Sequence, residues 1–308
     1  MNILILGGAG FIGTKLTRKF LDLGFNVTIY DKFIEQVHGK TTTSEYLSRN
    51  FKKKKPFIYL GCVTETDNFK KLFQAPFDKI YYLVSETGTA QSMGEISRYS
   101  LTNIHGPSVF FDALIKYCKN KPEIILASSR AVYGEGGGFS NKKLNPLSYY
   151  GLNKKIQEDI FSFFCKEYKF PLKIYRFQNI YGAGQSINNP YTGVLIHFIK
   201  NALINKDIEI FDNGKITRDF LHIDDLTDFL IEDNSKNNII DIGSGKRVEL
   251  KDVVLLIKEI TNSKSNFLIK NKHRPGDVIH ACSKNKIKIK TPLKTGLIEL
   301  VNFIKNAK

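Results

Sequence analysis

The chain has 308 residues, enough for one large domain and a smaller one. Its hydrophobic content of 42% is that of a globular protein, no apolar run approaches the length that spans a bilayer, and the apolar start Met1 to Leu6 lacks a basic leader and a cleavage site. The formal net charge of +16 would suit a nucleic-acid partner, but the lysines are spread along the chain and the dense run Lys52 to Lys55 carries no aromatic-interleaved stripe, so the expectation is no nucleic acid, no membrane, and a positive field suited to a small anionic substrate.

The four cysteines, Cys62, Cys118, Cys165 and Cys282, are far apart, with no C-x-x-C pair and no histidine at zinc spacing. They read as free thiols in a reducing cytoplasm, and no metal site is expected.

In chain order, short apolar runs alternate with helical stretches. Strands are predicted at Ile3 to Leu6, Val27 to Tyr30, Ile58 to Leu60, Ile80 to Val84, Ile124 to Ala127 and Leu172 to Tyr175. Helices are predicted over Phe11 to Leu23, Gly94 to Tyr117 and Tyr149 to Tyr168. Continuous apolar runs suit strands buried on both faces, so the fold class is α/β, a Rossmann-type doubly wound parallel sheet. After Tyr181 a Gly- and Asn-rich loop leads to a helix near Val194 to Leu203 and shorter mixed segments. The expected division is 1–181, a dinucleotide-binding domain, and 182–308, mainly a smaller C-terminal substrate-binding domain, with the chain free to cross back into the sheet.

Gly7, Gly10 and Gly13, with Phe11 and Ile12 between them, follow the first strand and open the first helix. Glycine lets the backbone turn tightly and approach a pyrophosphate, whose charge faces the helix N-terminus. Asp31 ends the second strand, where a carboxylate binds a ribose 2′-hydroxyl and repels a 2′-phosphate, so NAD is favoured over NADP, with Lys32 beside it as a small counterweight. A second constellation joins Ser129, at the C-terminal edge of the sheet, to Tyr150 and Lys154, which share one helix face. A nearby ammonium favours the phenolate, giving a base able to take a hydroxyl proton.

The Gly7 to Gly13 turn, the segment Ser128 to Gly134 and the helix start Tyr150 to Lys154 together resemble the extended short-chain dehydrogenases of the epimerase/dehydratase type. Arg176 to Gly182, Thr217 to Phe220 and Arg274 to Val278 resemble that family's nicotinamide and nucleotide-sugar segments, so the resemblance covers nearly the whole chain. It implies a nucleotide-diphosphate-sugar substrate, Asn179 at the diphosphate or sugar, Arg218 and Arg274 clamping the diphosphate, Asn103 bracing the cofactor side, and a homodimer through the Gly94 and Tyr149 helices. Loops at Glu35 to Gly39, Gly88 to Met93 and Gln185 to Val194 are similar to those of dTDP-L-rhamnose 4-epimerases, which places Gln91, Ser92, Tyr191 and Thr192 at the sugar.

Three positions depart from the family pattern: Cys62 where an aspartate usually stands, Val84-Ser85 where two alanines do, and Arg130 where small residues are common. The resembling 4,6-dehydratases carry an Asp-Glu pair directly after the serine or threonine, and here Arg130 and Ala131 occupy those places. The expected activity is therefore 4-epimerisation through a transient 4-keto sugar, with a dTDP-6-deoxyhexose as substrate. A UDP-hexose epimerase, a net dehydrogenase or 4-reductase, and a non-catalytic cofactor-binding regulator are the alternatives.

Overall fold

The computed structural model describes residues 1–136, 143–191, 193–235, 238–284 and 287–307. Six strands of the first half form the sheet: β1 (Asn2–Leu6), β2 (Asn26–Asp31), β3 (Phe57–Leu60), β4 (Lys79–Tyr82), β5 (Glu123–Ser129) and β6 (Leu172–Phe177). A seventh, Ile239–Ile242, returns from the second half and pairs with β6. The order is Ile239–Ile242, β6, β5, β4, β1, β2, β3, and every pairing is parallel.

Alternation along β1 shows why its apolar run is continuous. Ile3 and Ile5 face one core layer with Ile29, Tyr81 and Ile125, whereas Leu4 and Leu6 face the other with Tyr82, Phe110 and Phe161. Helix α1 (Phe11–Asp22) lays Leu16, Phe20 and Leu21 on the first layer and stops before Gly24, whose φ is +84°. A third core gathers Ile196, Ile199, Val253, Ile257, Leu297 and Leu300 from the helices Val194–Leu203, Leu250–Thr261 and Leu293–Asn306.

The helix expected over Gly94 to Tyr117 is interrupted. An α-helical turn, Ile96–Ser100, passes into a π-helical segment, Leu101–His105, before the α-helix Gly106–Tyr117. Pro107 is the physical reason: it has no N–H to give the Asn103 carbonyl, which instead accepts from Gln157 Nε2 at 3.3 Å, while the Gly106 N–H reaches back to Leu101. The bulge aims the Asn103 side chain at the end of β4.

The strand order reverses between β1 and β4, so the crevice beyond their C-terminal ends is the position where doubly wound sheets bind ligands. Among the described residues no helix is long and apolar enough to cross a membrane.

Candidate active site

The Gly-rich turn lies in that crevice. Gly7 has φ +76°, and a Cβ there would meet the Val84 amide nitrogen at 3.0 Å. A Cβ on Gly13 would sit 2.6 Å from the Gly7 carbonyl oxygen, so α1 begins directly against the turn. Asp31 Oδ2 accepts the Ala9 N–H at 3.0 Å and Oδ1 accepts the Phe33 N–H at 2.8 Å, tying the turn to the end of β2. Burial raises the Asp31 carboxyl, the two amides oppose that shift, and His38 Nε2 lies 3.7 Å away.

A cavity of about 210 Å³ opens here, lined by Gly7, Gly10, Asp31 and Lys32 together with Cys62 and Ser85. Asn103 braces its far wall: Oδ1 accepts the Glu86 N–H at 2.8 Å and the Ser85 hydroxyl at 3.1 Å, and Nδ2 donates to Glu86 O at 3.0 Å. The donor set and the glycine cradle fit a dinucleotide: a turn only glycine allows, a helix N-terminus for a pyrophosphate, and a carboxylate beside the cavity for a ribose. Phe11 lines a separate, wider cleft of about 710 Å³ behind the turn, which holds none of the Ser-Tyr-Lys residues. Ile12 follows it in the first turn of α1.

Ser129 ends β5, and Tyr150 and Lys154 stand in the helix Tyr149–Glu167. Ser148 caps that helix by accepting the Gly151 N–H at 3.1 Å, and Ser92 Oγ accepts the Tyr150 N–H at 3.0 Å. Gly151 lets the helix start press onto the turn that follows β5, because a Cβ there would lie 2.5 Å from Ala131 O. The Ser129 hydroxyl, which accepts the Ala131 N–H at 3.2 Å, lies on the side of the Tyr150 phenol. Burial raises the Tyr150 phenol, whereas Ser129 and the Arg130 charge pull it back. Lys154 is buried and donates to Ala127 O and Gln157 Oε1, both at 2.9 Å; burial pushes it down to about 7, against the pull of Glu158.

Tyr150 faces a second cavity of about 440 Å³, whose walls include Arg130, Asn179, Tyr191, Arg218 and Arg274. Arg218 Nη2 bonds Asp277 Oδ1 at 2.6 Å and Nη1 bonds Thr217 O at 2.8 Å, so its guanidinium is held from behind. Arg274 lies over the Phe211 ring, 3.8 Å from its centroid. Gln91 and Ser92 do not line this cavity. Both are buried: Gln91 Nε2 donates to Glu95 Oε1 at 2.8 Å, and Ser92 Oγ donates to Thr89 O at 2.6 Å while holding the Tyr150 amide. They support the wall because their side chains turn toward the helix starts behind it. Thr192 lies outside the described residues.

Sequence reasoning noted Arg130 only as a departure, yet it stands inside the cavity wall with Nε donating to Asn179 Oδ1 at 3.2 Å. It also missed Asp219, fully buried, whose carboxylate accepts the Ser244, Gly245 and Ser283 amides at 2.7, 3.0 and 3.0 Å and so ties three loops together below the site. The signal was the Asp of Thr217-Arg218-Asp219-Phe220, which was read only for its arginine. Away from both cavities, His222, Asp224 and Glu299 bring ligand atoms within 4.8 Å of one another, with Lys15 ion-paired to Asp224 at 2.5 Å.

The dTDP-L-rhamnose 4-epimerase of Burkholderia thailandensis is 31% identical over 91% of this chain and 86% of its own length. The solved UDP-glucuronic acid 4-epimerase of Bacillus cereus, in complex with UDP-glucuronic acid and NAD, superposes with a TM-score of 0.88 at 26% identity over 100% of both chains. The UDP-glucose 4-epimerase of Thermotoga maritima, with UDP-glucose, does so with a TM-score of 0.87 at 27% identity over 100% of this chain and 99% of that one. A model of the NAD dependent epimerase/dehydratase family matches residues 3–243, and with a glycine turn, a Ser-Tyr-Lys set and two adjoining cavities in their order, the chain belongs to that family.

Proposed function

We propose that this NAD-dependent nucleotide-sugar epimerase inverts C4 of a dTDP-linked 6-deoxyhexose such as dTDP-L-rhamnose. The observation that carries the reading is Tyr150 in the wall of the arginine-lined cavity, with Ser129 at the end of β5 acting on its phenol and no carboxylate at positions 130 and 131 to eliminate water across C5 and C6. The similarity to the Burkholderia thailandensis enzyme supports the choice of sugar and base.

Gly7, Gly10 and Gly13 with the N-terminus of α1 would hold the NAD pyrophosphate, and Asp31 the adenosine ribose. Bound NAD supplies a reversible hydride acceptor for the sugar C4. The Tyr150 phenolate takes the O4 proton as the C4–H bond breaks and C4=O forms, and Ser129 donates a hydrogen bond to that oxygen. After the ring presents its other face, C4 would regain the hydride as Tyr150 returns the proton to O4, which completes the inversion. Arg218 and Arg274 keep the diphosphate fixed during the turn, a task that suits guanidinium forks. Tyr191 and Asn179 bound the space in which the sugar turns. We also infer a homodimer, supported by the exposed apolar side chains Ile96, Leu152 and Phe163 on the helical segments that flank the site.

The test is a panel of nucleotide sugars read by NMR. Starting from dTDP-L-rhamnose, dTDP-6-deoxy-L-talose should accumulate to a balanced mixture without added NAD, and C4 should keep its protium in D₂O. Tyr150→Phe should lower kcat by at least about 10²-fold with nucleotide-sugar affinity nearly unchanged, because it removes the base and leaves the clamp. Deuterium at C4 would refute the mechanism; turnover of UDP-hexoses with none of dTDP-6-deoxyhexoses would keep the mechanism and refute the substrate.

A further inference from the structure

We propose that Gln36 is the centre of a side-chain clasp across the cofactor cavity, which keeps NAD in place through both halves of the reaction and makes Gln36 a positioning residue for it. The purpose of the clasp rests on the epimerase reading, whereas its action as a barrier to NAD release does not.

Three observations point to it. The first is placement. The sheet order puts the segments after β2 and β4 on either side of the glycine turn that follows β1. Ile34, Val37 and His38 from the first segment and Ser85 and Glu86 from the second line the cofactor cavity from its two sides. Gln36 stands in the first segment, within the short helix Glu35–His38. Its Oε1 accepts from Arg98 Nη2 at 2.7 Å, and the same nitrogen donates to Glu86 Oε2 at 2.8 Å. One guanidinium nitrogen thus joins the two sides, through charge-assisted bonds of the stronger kind.

The second is that the bonds close into a ring. Arg98 Nη1 donates to Glu95 Oε2 at 2.8 Å, Glu95 Oε1 accepts from Gln91 Nε2 at 2.8 Å, and Gln91 Oε1 accepts from Gln36 Nε2 at 3.2 Å. Exchanging oxygen and nitrogen in the Gln36 amide would set donor against donor at Arg98 and acceptor against acceptor at Gln91, so the network itself fixes the orientation. A polar side chain that only seated its own loop would find partners within it. Those of Gln36 lie 55, 62 and 153 residues away.

The third is the link to the substrate cavity. Gln36 Nε2 also donates to Asn189 Oδ1 at 3.3 Å, and that oxygen accepts the Tyr191 N–H at 3.0 Å. Pro190 and Tyr191 line the cavity that Tyr150 faces. The clasp therefore ties one wall of the substrate cavity to the cofactor cavity. An epimerase must return to C4 the hydride it removed, so cofactor lost in mid-cycle would strand a 4-keto sugar.

The experiment is the exchange of bound NAD for isotopically labelled NAD on the substrate-free holoenzyme, read by mass spectrometry of the heat-released ligand. Gln36→Ala should speed the exchange by at least about 10-fold, the change expected when a charge-assisted hydrogen bond no longer has to break for release. Arg98→Met removes the other end of the clasp and should act alike, which keeps the test in hand should Gln36→Ala fail to fold. Arg98→Lys, with one donor head in place of a fork, should fall between. Under turnover, Gln36→Ala should lose activity on dilution and regain it when NAD is added, which a merely structural role would not produce. Exchange at the wild-type rate in both Gln36→Ala and Arg98→Met overturns the proposal. So does a loss of activity on dilution that added NAD does not restore. If wild-type protein turned over no nucleotide sugar, the proposed function would fail while the substrate-free exchange still decided the role of Gln36.

Discussion

Gly13 shows how one missing methyl group sets the cofactor site. A Cβ there would stand 2.6 Å from both Gly7 O and Gly8 Cα, which are backbone atoms that cannot swing aside. Gly13→Ala must therefore push α1 away from the turn, and overpacking of this kind costs about 1–3 kcal/mol. The expected result is a protein with a lower melting temperature that purifies with little dinucleotide, read by mass spectrometry of the heat-released ligand. A full complement of NAD(H) in that variant would show that the close approach is dispensable. The spacing of the three glycines made this site legible, because the need for glycine is local. The support given by Ser92 and Gln91 was not legible, since whether a polar loop residue faces a cavity or a helix start depends on elements far away in the chain.

Asp233 pins the end of the helix Ile223–Glu232 to β6. Its carboxylate accepts from Lys173 Nζ and from the Tyr175 hydroxyl, each at 2.7 Å, and from the Ser235 N–H at 3.0 Å. These donors outweigh burial and hold Asp233 down to about 2. A carboxyl depressed in the folded state contributes stability above its unfolded value, and that contribution is lost as pH falls through the folded one. Asp233→Asn should therefore lower the unfolding free energy by about 1 kcal/mol near pH 6, after allowance for solvent screening, with the gap from wild type narrowing from about pH 5 to pH 2. Urea denaturation at several pH values reads this, and a gap independent of pH would exclude the ion pair as its source. The π-helical segment over Leu101–His105 belongs to the same scale. Hydrophobic spacing predicted one helix through it, and Pro107 was the local sign of an interruption, but its use in aiming Asn103 at Glu86 needs the end of β4 alongside.

For the whole molecule, the exposed face shared by Leu152 and Phe163, at 40% and 64% exposure, is the main unpartnered surface of the helix Tyr149–Glu167. Burying large apolar side chains of this kind stabilises by about 1.5–3 kcal/mol each. If the inferred homodimer forms there, sedimentation should find twice the chain mass, and Phe163→Glu should shift the equilibrium toward monomer by placing a charge in the interface. A wild-type protein at the single-chain mass would remove the homodimer from the reading.

Short-range chemistry accounts for what the sequence by itself determined. Glycine spacing, the acid at the end of β2, the apolar runs of the parallel strands and the Tyr150–Lys154 pair are each specified within one turn or one strand, so they could be read before any packing was known. The tertiary structure alone decided that Arg218 is backed by Asp277, that Asp219 joins three loops, and that Ile239–Ile242 returns to close the edge beside β6. Those contacts link residues 25 to 65 positions apart, and the strength of a buried charge depends on what surrounds it in space and not on its neighbours along the chain.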